Sequence, residues 1–117
     1  MGLSNSGRNV ALDAIGDVGL YLSLHTADPG TSGASEVSGG SPAYARQGCA
    51  WAVPSAGSMS LSAGELFNVP GSTTVTHFGV WSLASGGTFY GGGALNASET
   101  FAGQGTFELT NATLTVT

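Results

Sequence analysis

Apolar positions change period along the chain, and the changes mark its elements. In residues 4–17, SNSGRNVALDAIGD, the apolar residues Val10, Ala11, Ala14 and Ile15 recur at the spacing of one helix face. Ser4 or Ser6 is placed to cap this helix and Gly16 or Gly19 to end it. From Gly19 the period falls to two. Leu20, Leu22 and Leu24 alternate with Tyr21, Ser23 and His25, which predicts a strand with one buried face, stopped by Asp28-Pro29-Gly30. Residues 26–43, TADPGTSGASEVSGGSPA, are turn formers with Val37 as the only sizeable apolar residue. They predict a long exposed arm or Ω-like loop, a place where a neighbouring subunit is gripped.

Beyond the loop, short β-like runs alternate with turn signals. Strands are predicted at 44–53, 59–61, 66–69, 74–82, 88–95, 99–101, 106–109 and 113–116. Segment 74–82 carries Val75, His77, Gly79 and Trp81 on one face and Thr76, Phe78 and Val80 on the other, so it is expected to be central. Gly91-Gly92-Gly93 inside a strand pattern predicts a bulge or a close backbone approach. The pattern as a whole reads as one mainly β domain over residues 1–117. It is expected to be a small antiparallel β-sandwich or barrel-like domain with one N-terminal helix (4–17) and a long loop (26–43).

Composition sharpens this in two ways. Twenty glycines exclude a helical bundle, because each Gly inside a helix costs roughly 1 kcal/mol against Ala. Charge is scarce: 8% of residues, with Arg8 and Arg46 set against seven acids and no Lys. Two cations cannot supply the phosphate contacts of a nucleic-acid partner or the basic patch that recognises an anionic membrane. No stretch approaches a membrane span, and the N-terminus lacks a signal peptide's regions, so synthesis in a cytoplasm without export by that route is expected. A surface of Ser, Thr, Gly and apolar groups is easily desolvated, which predicts an obligate oligomer or a place on a larger assembly.

Candidate chemistry is sparse. His25 and His77 with scattered acids have no metal-ligand spacing, and no Gly-x-Ser-x-Gly elbow accompanies them, so neither metal, cofactor nor catalysis is expected. Cys49 lies in an apolar run and is expected to be a buried, inert thiol. The Gly-rich runs are followed by neither Lys-Ser/Thr nor a helix start, as a phosphate loop requires. Aromatics such as Trp81 and Tyr90 fall on alternating strand positions, where they serve a core or a subunit interface.

Several stretches together resemble a family of small virion structural proteins of tailed bacteriophages, described as tail fibre or head decoration proteins. They are SNSGRNVALDAIGD, LYLSLHTADPG at 20–30, EVSGGSPAYARQ at 36–47, VTHFGVWSLASGGTFYGGGAL at 75–95, and the ending LTNATLTVT. The resemblance implies a virion structural protein without catalysis. A short domain with no heptad stalk favours a decoration protein on the head, bound to the major capsid protein and to itself, with a homotrimer implied by the family. Tyr44 and Arg46 are the candidate interface anchors, with Val37, Trp81 and Tyr90 beside them, although Arg46 could equally form an intramolecular ion pair. The alternative reading is a tail fibre or baseplate component that binds a host-surface glycan through exposed aromatics.

Overall fold

The period-two segments fold as strands, and their pairing decides which side chains are buried. A computed structural model describes residues 4–16, 20–110 and 112–115. Helix α1 (Asn5–Gly16) precedes strands β1 (Tyr21–His25), β2 (Gln47–Gly48), β3 (Ser58–Ser60), β4 (Glu65–Val69), β5 (Thr73–Trp81), β6 (Phe89–Phe101), β7 (Gly105–Leu109) and β8 (Thr113–Thr115). Four of them form one antiparallel sheet in the order β2-β1-β5-β6, while β3 pairs with β8 and β4 with β7. The fold is mainly β with one N-terminal helix, as the pattern predicts. Asp17, Gly19, Asn111 and Val116, which the sequence places at element ends and in a turn, lie outside the described residues.

Alternation along β1 puts Leu22 and Leu24 on one face, opposite Val80 and Phe78 of β5. All four are nearly inaccessible and share one apolar cluster with Phe67 and Val69 of β4 and Leu109 of β7. The β4–β7 ribbon therefore closes the core as a second layer, each large side chain contributing about 1.5–3 kcal/mol by burial. β5 lies between β1 and β6, the inner position expected of it.

Three local expectations are corrected. The helix is capped by Ser4, whose Oγ accepts the Gly7 N–H at 3.1 Å, but its buried residue is Leu12, while Val10 is 69% exposed. Leu12 stands one turn beyond Arg8 and one turn before Ile15, so the packed face is rotated away from Val10 and Ala14. The strand expected at 44–53 shrinks to β2, because Tyr44 and Arg46 turn back toward Glu36 and Trp51 leaves to bridge Leu61. The strands expected at 88–95 and 99–101 are one strand, β6. Its register runs from His77↔Ala94 to Val75↔Glu99, so residues 95–98 bulge out opposite the single Thr76. The predicted close approach occurs at Gly92, where a Cβ would run into the Phe78 carbonyl oxygen.

Candidate functional site

The second face of the four-stranded sheet carries Ser23, His25, Gly79 and Trp81, and it is covered by the loop that follows β1. β1 is paired with β2 only at Tyr21 and Leu22, which leaves the rest of its outer edge to be satisfied by other means. The Leu24 N–H donates to the Tyr44 hydroxyl oxygen at 3.0 Å, and the Val37 N–H donates to the Leu24 carbonyl at 2.9 Å. His25 bridges Glu36, and the Thr26 N–H reaches the Ser35 carbonyl at 3.0 Å. A phenol and a loop segment thus stand where a neighbouring strand would be. Farther along, Gln104 accepts the Ser41 N–H and donates to the Pro42 carbonyl, each at 3.1 Å, and ties the loop to the β6–β7 turn.

Arg46 joins these segments. Its Nε and Nη2 donate to the two oxygens of Glu36, both at 2.9 Å, in the planar fork that suits a carboxylate. Its Nη1 donates to the carbonyls of Leu83 at 3.0 Å and Gly86 at 2.8 Å, in the turn between β5 and β6. The guanidinium also lies 3.7 Å from the centroid of the Trp81 ring. Tyr44 donates its hydroxyl to Glu36 at 2.9 Å and stacks on Phe67 of the core. Burial works to raise the Glu36 carboxyl, but the hydrogen bonds from Arg46 and Tyr44 outweigh it and hold Glu36 below the ordinary range. Burial raises Tyr44, so it stays a donor.

Beneath this ion pair runs a directed chain of hydrogen bonds. Trp81 Nε1–H donates to Ser23 Oγ at 3.0 Å, Ser23 Oγ meets His25 Nε2 at 2.7 Å, and His25 Nδ1 meets the Ala34 carbonyl at 2.7 Å. A carbonyl only accepts, so Nδ1 carries the proton and Nε2 accepts from Ser23. The pair has the composition of a nucleophile and its base, yet both residues are fully buried and both ends of the chain are occupied. Burial lowers the His25 pKa more than the Ala34 bond and the Glu36 charge raise it, with Arg46 and His77 adding to the lowering.

A pH dependence follows. An unfolded His takes up its proton near pH 6.5, and folded His25 does so only at more acid pH. Between these values the unfolded state binds more protons, so stability is expected to fall as pH falls, by up to about 1.4 kcal/mol per unit. Glu36, held below 4.5, adds a second fall as pH drops through 4.5. Urea unfolding from pH 8 to pH 3, with NMR titration of the His25 ring, checks both windows. A flat profile from pH 7 to pH 5 would show that His25 takes its proton freely in the fold.

The five interface candidates are placed differently from one another. Val37 is buried, Arg46 and Tyr44 are spent on Glu36, and Trp81 lies under the Arg46 guanidinium. Tyr90 alone of the five is exposed, at 47%. Of the two roles open to Arg46, the structure shows the intramolecular pair. Of the two readings of the loop at 26–43, the structure shows the Ω-like one and not a free arm: it is fastened from Thr26 to Pro42, because its backbone completes the edge of β1. Cys49 is half-buried, and burial pushes its thiol up to about 12.

Sequence reading missed Glu36, Ser23 and Gln104 as organising residues, and it missed why Gly33 and Gly79 are glycines. A Cβ on Gly33 would collide with the Trp81 ring, and one on Gly79 would lie 2.6 Å from both His25 Nε2 and Ser23 Oγ. The signal available for Glu36 was scarcity, since a chain with two arginines and a desolvated Arg46 must pair it with a nearby acid.

Among the described residues no group of three His, Cys, Asp or Glu gathers to hold a metal, and no helix is long and apolar enough to cross a membrane. No curated protein matches the chain. A family model described as podophage GP4 fiber I protein gp80 matches residues 8–117, from within the helix through the loop and the strands. The chain belongs to this podophage GP4 fiber I protein gp80 family, and it is a phage virion structural protein.

Proposed function

We propose that this chain is a non-catalytic subunit of a podophage fibre, in which the loop-covered end of the sheet serves as a preformed, sparsely charged contact surface. The observation that carries the reading is the Glu36–Arg46–Trp81 hub. It spends the charge of Arg46 internally and fixes both the loop and the β5–β6 turn before any partner arrives. Contacts made by ordered segments avoid the entropy of ordering on binding, which suits a repeated part of an assembly. The fibre reading is supported by the description of the family. The head-decoration reading, which the short domain favours in sequence, is its alternative. Absence of catalysis is supported by Ser23 and His25, whose reactive atoms face each other in a fully buried site.

A glycan-stacking surface finds less support. Trp81 and Tyr44 point inward, and Tyr90 stands exposed without the other two beside it in solvent. Quantitative mass spectrometry of purified virions, with the major capsid protein as internal standard, tests the fibre reading. A few dozen copies or fewer per particle are expected. Copies in the hundreds would place the chain on the head as a decoration protein bound to the major capsid protein, and the fibre reading would fall.

A further inference from the structure

The fold divides by what can take a proton. The buried apolar cluster is built of Leu, Val, Phe and Ala, without a titratable side chain, and Val37 is the one residue of the 26–43 loop that belongs to it. The loop is otherwise held by hydrogen bonds. Its two titratable fastenings, His25 to Ala34 and Glu36 to Arg46, lie side by side, because His25 pairs with Glu36 across the seam between β1 and the loop. Neutral His25 suits both of its neighbours: Nδ1–H donates to the Ala34 carbonyl, and Nε2 accepts from Ser23. A proton on Nε2 aims a second N–H at Ser23 Oγ, so the buried hydroxyl must turn its own hydrogen away. Among the described residues Ser23 Oγ meets only His25 and Trp81 Nε1–H, and the latter is itself a donor, so nothing there receives that hydrogen.

The new charge is also poorly matched. Glu36 attracts it, but Arg46 and His77, which stands opposite His25 on β5, repel it, and β6 packs the uncharged Phe89 ring against the imidazole. Tyr44, bonded to Glu36, stays neutral. A proton on Glu36 in turn removes the ion pair with Arg46, and it removes the carboxylate that attracts the imidazolium, so the two protonations reinforce each other. We propose that the 26–43 loop is an acid-released strap: proton uptake by His25, then by Glu36, unfastens it from β1 while the apolar layers stay folded. Below pH 6.5, where an exposed His takes its proton, each pH unit multiplies the ratio of open to fastened loop by up to about ten, until the fastened form takes the proton as well. Release uncovers the β1 edge at Leu24 and His25, which the loop otherwise completes. The release belongs to the chain itself; that it dismantles the proposed contact surface rests on the fibre reading.

The experiment uses the purified chain, so it is independent of where the protein sits on the virion. Amide hydrogen exchange is followed residue by residue by NMR from pH 7.5 to pH 4.5, with rates corrected for the pH dependence of unstructured amides. At pH 7.5 the hydrogen-bonded N–H groups of Thr26, Gly33, Ala34 and Val37 are expected to be protected. At pH 4.5 their protection is expected to be lost, while the amides of β5, which is paired on both sides, still exchange at least about a hundredfold more slowly than unstructured ones. The loss is expected to coincide with the titration of the His25 ring. In His25→Gln, whose amide stays neutral and offers both a donor and an acceptor, the loop is expected to stay protected down to pH 5; if that variant does not fold, the coincidence of the two wild-type titrations decides. Loss of loop and β5 protection at the same pH overturns the proposal. So does a loop still protected at pH 4.5, or a His25→Gln loop released at the wild-type pH.

Discussion

Arg46→Ala is expected to remove about 3 kcal/mol of folding stability and to lower the melting temperature by roughly 12 °C. The loss has three sources. Glu36 keeps its charge at neutral pH but loses both guanidinium bonds in a position where its side chain is 21% exposed. The carbonyls of Leu83 and Gly86 lose their donor, and Trp81 loses the cation over its ring. Arg46→Lys keeps the charge but neither the fork nor the stack, so it is expected to regain less than half of the loss. Adding Glu36→Gln to Arg46→Ala is expected to restore part of the stability, since the stranded carboxylate is gone. Thermal unfolding followed by circular dichroism measures all three variants. A loss for Arg46→Ala below about 1 kcal/mol would make the pair an ordinary solvated ion pair and leave the loop without its main fastening.

The parts of the fold legible in sequence are those set by local repetition. Leu22 and Leu24 announce β1 because a half-buried strand must alternate, and the two apolar faces of 74–82 announce an inner strand. The break between 95 and 99 was also legible, although it proved to be a bulge within one strand. What failed was set by single contacts between distant residues. Nothing in TADPGTSGASEVSGGSPA shows that Ser41 will meet Gln104, or that a phenol eight residues beyond Glu36 will stand in for a strand. A loop with no period of its own looks like an arm, whether or not the sheet offers an unsatisfied edge for it to complete. The interface candidates also take their intramolecular roles from such distant contacts. Arg and aromatic residues dominate interfaces because they make many directional contacts, and the same capacity lets Arg46, Tyr44 and Trp81 organise the interior of one chain.

Gly79→Ala tests whether the buried hydrogen-bond chain is as tightly built as it looks, and it is expected to cost about 3 kcal/mol or more. The new methyl would lie 2.6 Å from His25 Nε2 and Ser23 Oγ and 2.9 Å from Phe89 Cε1. None of these atoms can retreat easily. Ser23 and His25 are fully buried and hold each other at 2.7 Å, and Phe89 packs edge-on against both His25 and Trp81. To admit one carbon, either the β1–β5 ladder opens or the Ser23–His25 bond breaks, which leaves a buried imidazole nitrogen without a donor. Breaking that bond also frees Ser23 to rotate away from Trp81 Nε1, so the two effects are coupled and should not add as independent losses. In a Trp51→Phe background, Trp81 reports on the site alone. Its emission should shift to the red in Gly79→Ala as the indole N–H exchanges Ser23 for water, and the His25 midpoint should move up toward 6.5. A variant with the parent's unfolding midpoint, emission and titration would show that β1 and β5 are loose enough to take the extra carbon. The loop would then rest on Arg46, Gln104 and its backbone bonds to β1, without the buried chain beneath it.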